Sequence, residues 1–271
     1  MNKLVKKAGK QFFHSIGASS LLNELHFRFQ QSRHYFGNRQ FKKKYKRFVF
    51  PEDRALFNTF QLSYQRYYED GLQAANELIE WSQINREEKP VILDWGTGTG
   101  RIIRQVPKLI PNAVCYGADI DASIIDWCKK NIDAVFFDTI TDIYLPYPSQ
   151  YFNAVWGISV FTHIPSHETA HWLAELQRIM KDNAIAILTT HGSNYDHQLN
   201  AAQLSQLKAG GAFTIDYKEK GHRLMTTYHE ADAFGAMLKT GFQVEQFWEG
   251  KTHPDKMGGQ DCWVIKKVPA A

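Results

Sequence analysis

The sequence predicts an α/β protein: a seven-stranded, mostly parallel sheet with its last strand antiparallel, sandwiched by helices. Three observations lead there. Short apolar runs alternate with segments of helical apolar spacing from residue 90 onward. The first run ends in a glycine-rich loop that opens into a helical stretch. The chain closes with two strands joined by a loop containing Gly250, Pro254, Gly258 and Gly259. With 271 residues, 44% of them hydrophobic, the chain can bury a sizeable core, which sets aside disordered, collagenous and disulfide-scaffold classes.

Residues 1–60 read as a basic, largely helical extension and residues 61–271 as the α/β domain. The first 50 residues hold 12 Lys or Arg and a single acid, Glu24, whereas the rest holds 20 basic and 27 acidic residues. Leu4, Val5, Ala8, Phe12, Phe13 and Ile16 recur near helical spacing with Lys3, Lys6, Lys7 and Lys10 between them. That pattern is a basic amphipathic helix, which suits an anionic membrane surface as well as docking on protein. A second cluster, Lys42, Lys43, Lys44, Lys46 and Arg47, reads as a solvated face; the two together favour an anionic partner.

Pro51 closes the basic region, and Tyr68, Leu72, Ala75, Leu78 and Trp81 mark a helix within 62–83. A strand over 90–95 then runs into Gly96-Thr97-Gly98-Thr99-Gly100 and a helix over 101–110. The cycle repeats as a strand over 113–118, a helix over 122–131, a short strand over 135–137, a strand over 152–159, a helix over 166–180 and a strand over 184–190. A polar insertion follows, then a helix over 229–240 stopped by Gly241, and strands over 242–248 and 261–266. No run of eighteen apolar residues appears, so no spanning helix is expected. Cys115, Cys128 and Cys262 lie scattered in apolar stretches and read as core packing in a reducing, cytoplasmic compartment, with the basic region allowing attachment to the inner face of a membrane.

The loop at 96–100 leaves the carboxyl end of the first strand, where parallel sheets bind nucleotides through bare backbone N–H groups. A dinucleotide fingerprint would need glycine at 101; Arg101 stands there, which disfavours hydride transfer with a nicotinamide. Asp119, ending the second strand, lies 19 residues beyond Gly100, near the interval at which a carboxylate reaches a ribose diol.

At these residues the sequence resembles the class I S-adenosylmethionine-dependent methyltransferases. Asp94, Gly96, Gly98 and Gly100 meet D-x-G-x-G-x-G, Asp119 is the acid ending the second strand, and Leu145, Pro146 and Pro148 form an LP-x-P stretch before the fourth strand. The resemblance spans roughly residues 60–267 and implies a Rossmann-like sheet. A narrower likeness, carried by residues 159–164, Thr189-Thr190-His191-Gly192, Tyr228-His229 and Gly259-Gln260-Asp261, is to a bacterial small-molecule group associated with glycan and secondary-metabolite biosynthesis. Lys181-Asp182-Asn183-Ala184 and Phe152-Asn153 depart from that group's usual Lys-Pro-Gly-Gly and Phe-Asp.

The resemblance implies that Asp94 and the Gly96, Thr97, Gly98 and Gly100 backbone hold the methionine part of the donor, and Asp119 the ribose. Asp138 or Thr139 meets the adenine, with Asp142 a rival. Ile120 covers the adenine face or joins the core, and Ser159 is counted with the donor residues. The cofactor expected is S-adenosyl-L-methionine, with S-adenosyl-L-homocysteine as product. No metal is assigned, because His163, His167 and His171 lack the H-E-x-x-H order of a zinc hydrolase.

A hydroxyl acceptor needs a base, and the carboxyl edge of the sheet offers His191, His163, Tyr228 and His229. Of these, His191 faces the acceptor side, whereas His163 suits a structural role before the next helix. The insertion at 193–227, with Tyr195, Tyr217 and Arg223, is expected to cover the acceptor. The expected reaction is O-methylation of a small molecule or glycan, lipid-linked acceptors included. N-methylation of a small molecule and methylation of nucleic acid are the alternatives, the latter resting on the basic N-terminal region alone and lacking an Asn-Pro-Pro-Tyr-type motif. A non-enzymatic binding protein is disfavoured by the intact loop and acid, and a homo-oligomer is compatible with the sequence.

Overall fold

The computed structural model describes residues 18–141, 143–215 and 225–269. The basic helix expected near residues 3–16, Asp142, Tyr217 and Arg223 lie outside the described residues. The chain divides into two compact units, residues 1–69 and residues 70–271.

The first unit is built on α1 (Ala18–Lys44), α2 (Asp53–Thr59) and the first residues of α3 (Tyr64–Trp81). Lys42, Lys43 and Lys44 occupy the last turn of α1, where cations complement the helix's free carbonyls. Phe27, Phe41, Phe50, Leu56, Phe57, Leu62 and Tyr67 form its core, and Phe50 stacks on Tyr64 at 4.5 Å. Asn38 fixes the entry to α3: its side-chain amide donates to the Leu62 carbonyl at 2.6 Å, and its Oδ1 accepts from the Tyr64 N–H at 2.8 Å.

The second unit is the α/β domain. Its sheet is ordered β3-β2-β1-β4-β5-β9-β8, with β1 (Val91–Trp95), β2 (Val114–Asp119), β3 (Val135–Thr139), β4 (Phe152–Gly157), β5 (Met180–Thr190), β8 (Phe242–Trp248) and β9 (Asp261–Lys267). Strands β1 to β5 pair in parallel; β9 lies antiparallel between β5 and the edge strand β8. The seven-stranded sheet with an antiparallel last strand is the architecture the sequence predicts.

Alternation along the strands buries both faces. On one face Leu93, Trp95, Val155 and Leu188 meet Trp172, Leu173, Leu176 and Ile179 of α6 (Thr169–Ile179) and Phe234 and Leu238 of α8 (Ala231–Leu238). On the other, Ile92, Ala154 and Ile187 meet Ala75, Leu78 and Ile79 of α3 and Ile124, Ile125 and Cys128 of α5 (Ala122–Asn131). All three cysteines are buried and unpaired. The LP-x-P segment is clamped by α6: Glu175 accepts from the Leu145 N–H at 2.7 Å, and Arg178 donates to the Leu145 and Tyr147 carbonyls at 3.1 and 2.8 Å.

Several expected elements differ: the strand expected over 184–190 starts at Met180, and the helix expected over 166–180 opens as a 3-10 turn, Ser166–Glu168, and ends at Ile179. The helix over 101–110 is a 3-10 turn, Ile103–Gln105, followed by a single α-turn, α4 (Val106–Leu109), because Pro107 has no N–H to continue the ladder from residue 103. The fourth strand stops at Gly157, since Ser159 takes a left-handed φ of +62°. The helix expected from 229 starts at Ala231, since residues 226–229 form a strand, β7.

The described part of the insertion, residues 193–215 and 225–227, is folded. It holds a 3-10 turn (Ser193–Gln198), α7 (Ala201–Gly210) with an Asn200/Gln203 capping box, and the antiparallel pair β6 (Ala212–Ile215) and β7 (Thr226–His229). Strand β7 is fastened to the carboxyl edge of the main sheet: the His229 N–H donates to the His191 carbonyl at 2.9 Å, and the Thr227 N–H to the Thr162 carbonyl at 2.9 Å.

Candidate functional site

The parallel strands deliver Trp95, Asp119, Thr139, Gly157 and Thr190 to one edge, and the loops leaving them make the candidate site. The loop after β1 is held from below. Gly96 and Thr97 both donate backbone N–H bonds to the Ala118 carbonyl, at 2.8 and 3.0 Å. Asp94 is buried, and its Oδ2 accepts from the Thr97 hydroxyl at 2.8 Å. Burial pushes the Asp94 carboxyl up to about 7, against the pull of Thr97 and of the Arg101 charge.

The loop needs its glycines. Gly96, Gly98 and Gly100 have φ of +73°, +51° and +70°. A Cβ on Gly96 would in addition stand 2.4 Å from Cγ2 of Val160.

Asp119 is bonded on both carboxylate oxygens: Oδ2 accepts from the Gly98 N–H at 2.8 Å and Oδ1 from the Asp121 N–H at 3.0 Å. A carboxylate offers about four lone-pair sites, so these bonds orient it without exhausting it as an acceptor. Burial raises its pKa. Asp121 caps α5 by accepting from the Ser123 and Ile124 N–H groups. Ile120 is 54% exposed beside this carboxylate and takes no part in the core.

The structure separates the two adenine candidates. Asp138 accepts from the Tyr147 hydroxyl at 3.0 Å, and Thr139, the last residue of β3, is aligned with Asp119 in the ladder. Ser159 is tied to β5 and β9: its N–H donates to the Thr189 hydroxyl at 2.7 Å, and its hydroxyl meets the Gln260 amide at 2.8 Å. Thr189 in turn donates to Gln260 Oε1 at 2.6 Å. Gln260 lies within a segment singled out in the sequence by its likeness to relatives, but no role attaches to it there; its place follows only from the pairing of β9 with β5.

The histidines diverge. His191 follows β5, half-buried, with its ring stacked on Tyr195 at 4.1 Å and tilted against Tyr228 at 5.5 Å. Its Nδ1 has no hydrogen-bond partner, and burial, followed by the neighbouring His163 and His229, pushes the ring's pKa down to about 3. It is therefore a neutral imidazole at physiological pH. His163 is exposed and hydrogen-bonded through Nδ1 to the Met225 carbonyl at 2.8 Å. His229 is 1% exposed, packed edge-on against Phe234 with Nε2 on the Thr169 hydroxyl at 3.2 Å. Burial pushes its pKa down to about 4, and it belongs to the core. The Tyr228 ring is buried and its hydroxyl donates to Gln198 at 3.2 Å.

Asp261 opens β9 opposite Thr190. Its Oδ1 accepts from the Gly250 N–H at 2.8 Å, its Oδ2 has no partner, and burial pushes the carboxyl up to about 6. A Cβ on Gly192 would meet that Oδ2 at 1.9 Å, so the turn after His191 admits no side chain. Among the described residues no group of three His, Cys, Asp or Glu side chains is placed to hold a metal, and no helix is long and apolar enough to cross a membrane.

Comparison with known proteins places these features. Residues 92–183 match a family model described as a methyltransferase domain. A release factor glutamine methyltransferase of Chlorobaculum tepidum is 26% identical over 164 residues, covering 55% of this chain and 53% of the relative; the chain thus spans about half of that relative's length. Among solved structures, a SAM-dependent methyltransferase from Methanosarcina mazei superposes with a TM-score of 0.53 at 18% identity, covering 68% of this chain and 94% of that one. The Burkholderia thailandensis 1,6-didemethyltoxoflavin-N1-methyltransferase, with 1,6-didemethyltoxoflavin and S-adenosylhomocysteine bound, superposes with a TM-score of 0.52 at 12% identity, covering 74% of this chain and 80% of that one. The fold is that of the Rossmann-like methyltransferases.

Proposed function

We propose that this protein is a class I S-adenosylmethionine-dependent methyltransferase that methylates a hydroxyl of a small molecule or glycan. One observation carries the reading: three left-handed glycines form a side-chain-free loop at the carboxyl end of β1, bonded through Gly98 to the carboxylate of Asp119 at the end of β2. A bare loop, an oriented carboxylate and the exposed apolar Ile120 are a cradle that fits a nucleoside joined to an amino acid.

In this reading the loop backbone and Asp94 hold the methionine part, Asp119 the ribose hydroxyls, and Ile120 and Thr139 the adenine. S-adenosylmethionine supplies a methyl carbon already activated by its sulfonium. The protein's task is then alignment, exclusion of water and removal of one proton. His191 takes that proton on a ring nitrogen, held by its stack on Tyr195. The insertion, fastened by β7, covers the acceptor.

The test incubates the protein and methyl-labelled S-adenosylmethionine with extract of the source cells, with Asp119→Ala as control, and partitions the label. Label in the small aqueous or organic fraction, absent with the variant, supports the reading. Acid-precipitable label released by nuclease overturns it in favour of nucleic acid.

A further inference from the structure

The outer face of α1 carries a feature that methyl transfer does not use. Leu25, Phe29 and Phe36 are 57%, 62% and 75% exposed. Their spacing of four and seven residues sets them on one side of the helix. Arg28, which is paired with Glu24, Arg33 and Arg39 lie within a turn of them, and Lys43 follows two turns beyond Phe36 on the same side. Beside the strip is a groove of about 660 Å³ whose walls include Tyr35, Phe36, Arg39 and Lys42. Both carboxylate oxygens of Asp53, in the same groove, already accept from Gln31 and Tyr64, at 2.8 and 3.0 Å. Among the described residues neither Arg39 nor Lys42 makes an ion pair with a carboxylate.

Three large apolar side chains in water beside a row of cations is a costly surface for a helix that ends there. A second copy of the same face would bring like charges together. An anionic bilayer satisfies both features, since the apolar strip enters the acyl boundary while the cations meet lipid phosphates. We propose that α1 docks the protein on anionic phospholipid through Leu25, Phe29 and Phe36, with the Arg39–Lys42 groove taking a headgroup. The proposal goes beyond the transferase reading and stands independently of it.

Sedimentation of the full chain with large vesicles tests it, using phosphatidylcholine alone or with about one-third phosphatidylglycerol. Binding is expected only to the anionic vesicles and is expected to be lost at high salt. Phe29→Ser with Phe36→Ser, and separately Arg39→Glu with Lys42→Glu, should each lower partitioning about tenfold. S-adenosylhomocysteine binding and the circular dichroism spectrum should stay those of the parent. A fluorophore on Phe36→Cys should shift to the blue on anionic vesicles. Absence of anionic binding, partitioning indifferent to both variant pairs, or an unshifted fluorophore overturns the proposal. So does equally tight binding of single-stranded RNA that is insensitive to the Phe29 and Phe36 changes.

Discussion

The backbone N–H of Gly98 donates to Oδ2 of Asp119 across 2.8 Å, joining the loop after β1 to the end of β2. The carboxylate thereby shapes the loop as well as facing the site. Asp119→Ala is expected to weaken S-adenosylhomocysteine binding by a factor of about ten or more and to cost about 1–3 kcal/mol in stability, as the Gly98 and Asp121 donors lose their acceptor. Titration calorimetry and urea unfolding check both; unchanged affinity would remove Asp119 from the donor site.

Gly96→Ala adds a methyl at a φ of +73° and into contact with Val160. A loss of about 1–3 kcal/mol is expected, with donor binding abolished. Adding Val160→Ala should relieve the contact and leave the backbone strain, so recovery in thermal melting is expected to be partial. Full recovery would show that packing alone selects glycine there.

Donor affinity should depend on pH through Asp94. Burial holds this carboxyl near 7 in the free protein, and a cationic donor at the loop favours its ionised form. Binding then releases a proton below pH 7. Affinity is expected to rise with pH toward about 7, by up to about tenfold per unit, and then level off. Asp94→Asn should flatten the profile, and calorimetry in buffers of different ionisation enthalpy counts the proton.

The sheet was largely legible in the sequence because each strand is a short apolar run closed by a loop, and the predicted helix over 122–131 matches α5 residue for residue. Apolar spacing alone is blind to Pro107, whose missing N–H breaks the expected helix over 101–110. It also misassigns His229, since Thr226-Thr227-Tyr228-His229 becomes a strand only by pairing with residues 212–215. The geometry of the candidate site was legible where it is local, in Asp94 and the glycine loop. It was hidden where it depends on distant pairing, as in the Thr189–Gln260 bond across 71 residues of sequence.

His191 is the proposed proton acceptor, and its Nδ1 has no partner in the protein. His191→Ala should lower methyl incorporation into the labelled extract fraction by about a hundredfold or more while leaving S-adenosylhomocysteine affinity as it is. Unchanged turnover would take His191 out of the mechanism.

His229 bears on stability instead. Burial holds its ring near 4, below the ordinary 6.5, so the folded state binds fewer protons than the unfolded chain between these values. The contribution is present above pH 6.5 and is lost as pH falls toward 4, by about 3 kcal/mol at most. Asp94 and Asp261, held up near 7 and 6, act in the opposite sense, losing stability as pH rises through that range. The comparison must therefore be with His229→Gln, whose urea midpoint should fall less steeply on acidification than the parent's.

Strand β9 sits between β5 and β8, although it is made after both. On a ribosome, β5 emerges with Ile185, Ala186, Ile187 and Leu188 ready for burial and its pairing edge bare, because its partner residues, 261–266, have not yet been synthesised. Strand β8 cannot shield that edge meanwhile, since it joins the sheet only through β9. Vectorial synthesis thus leaves a sticky half-sheet waiting for its last piece, the interval in which nascent chains of this topology most need a chaperone.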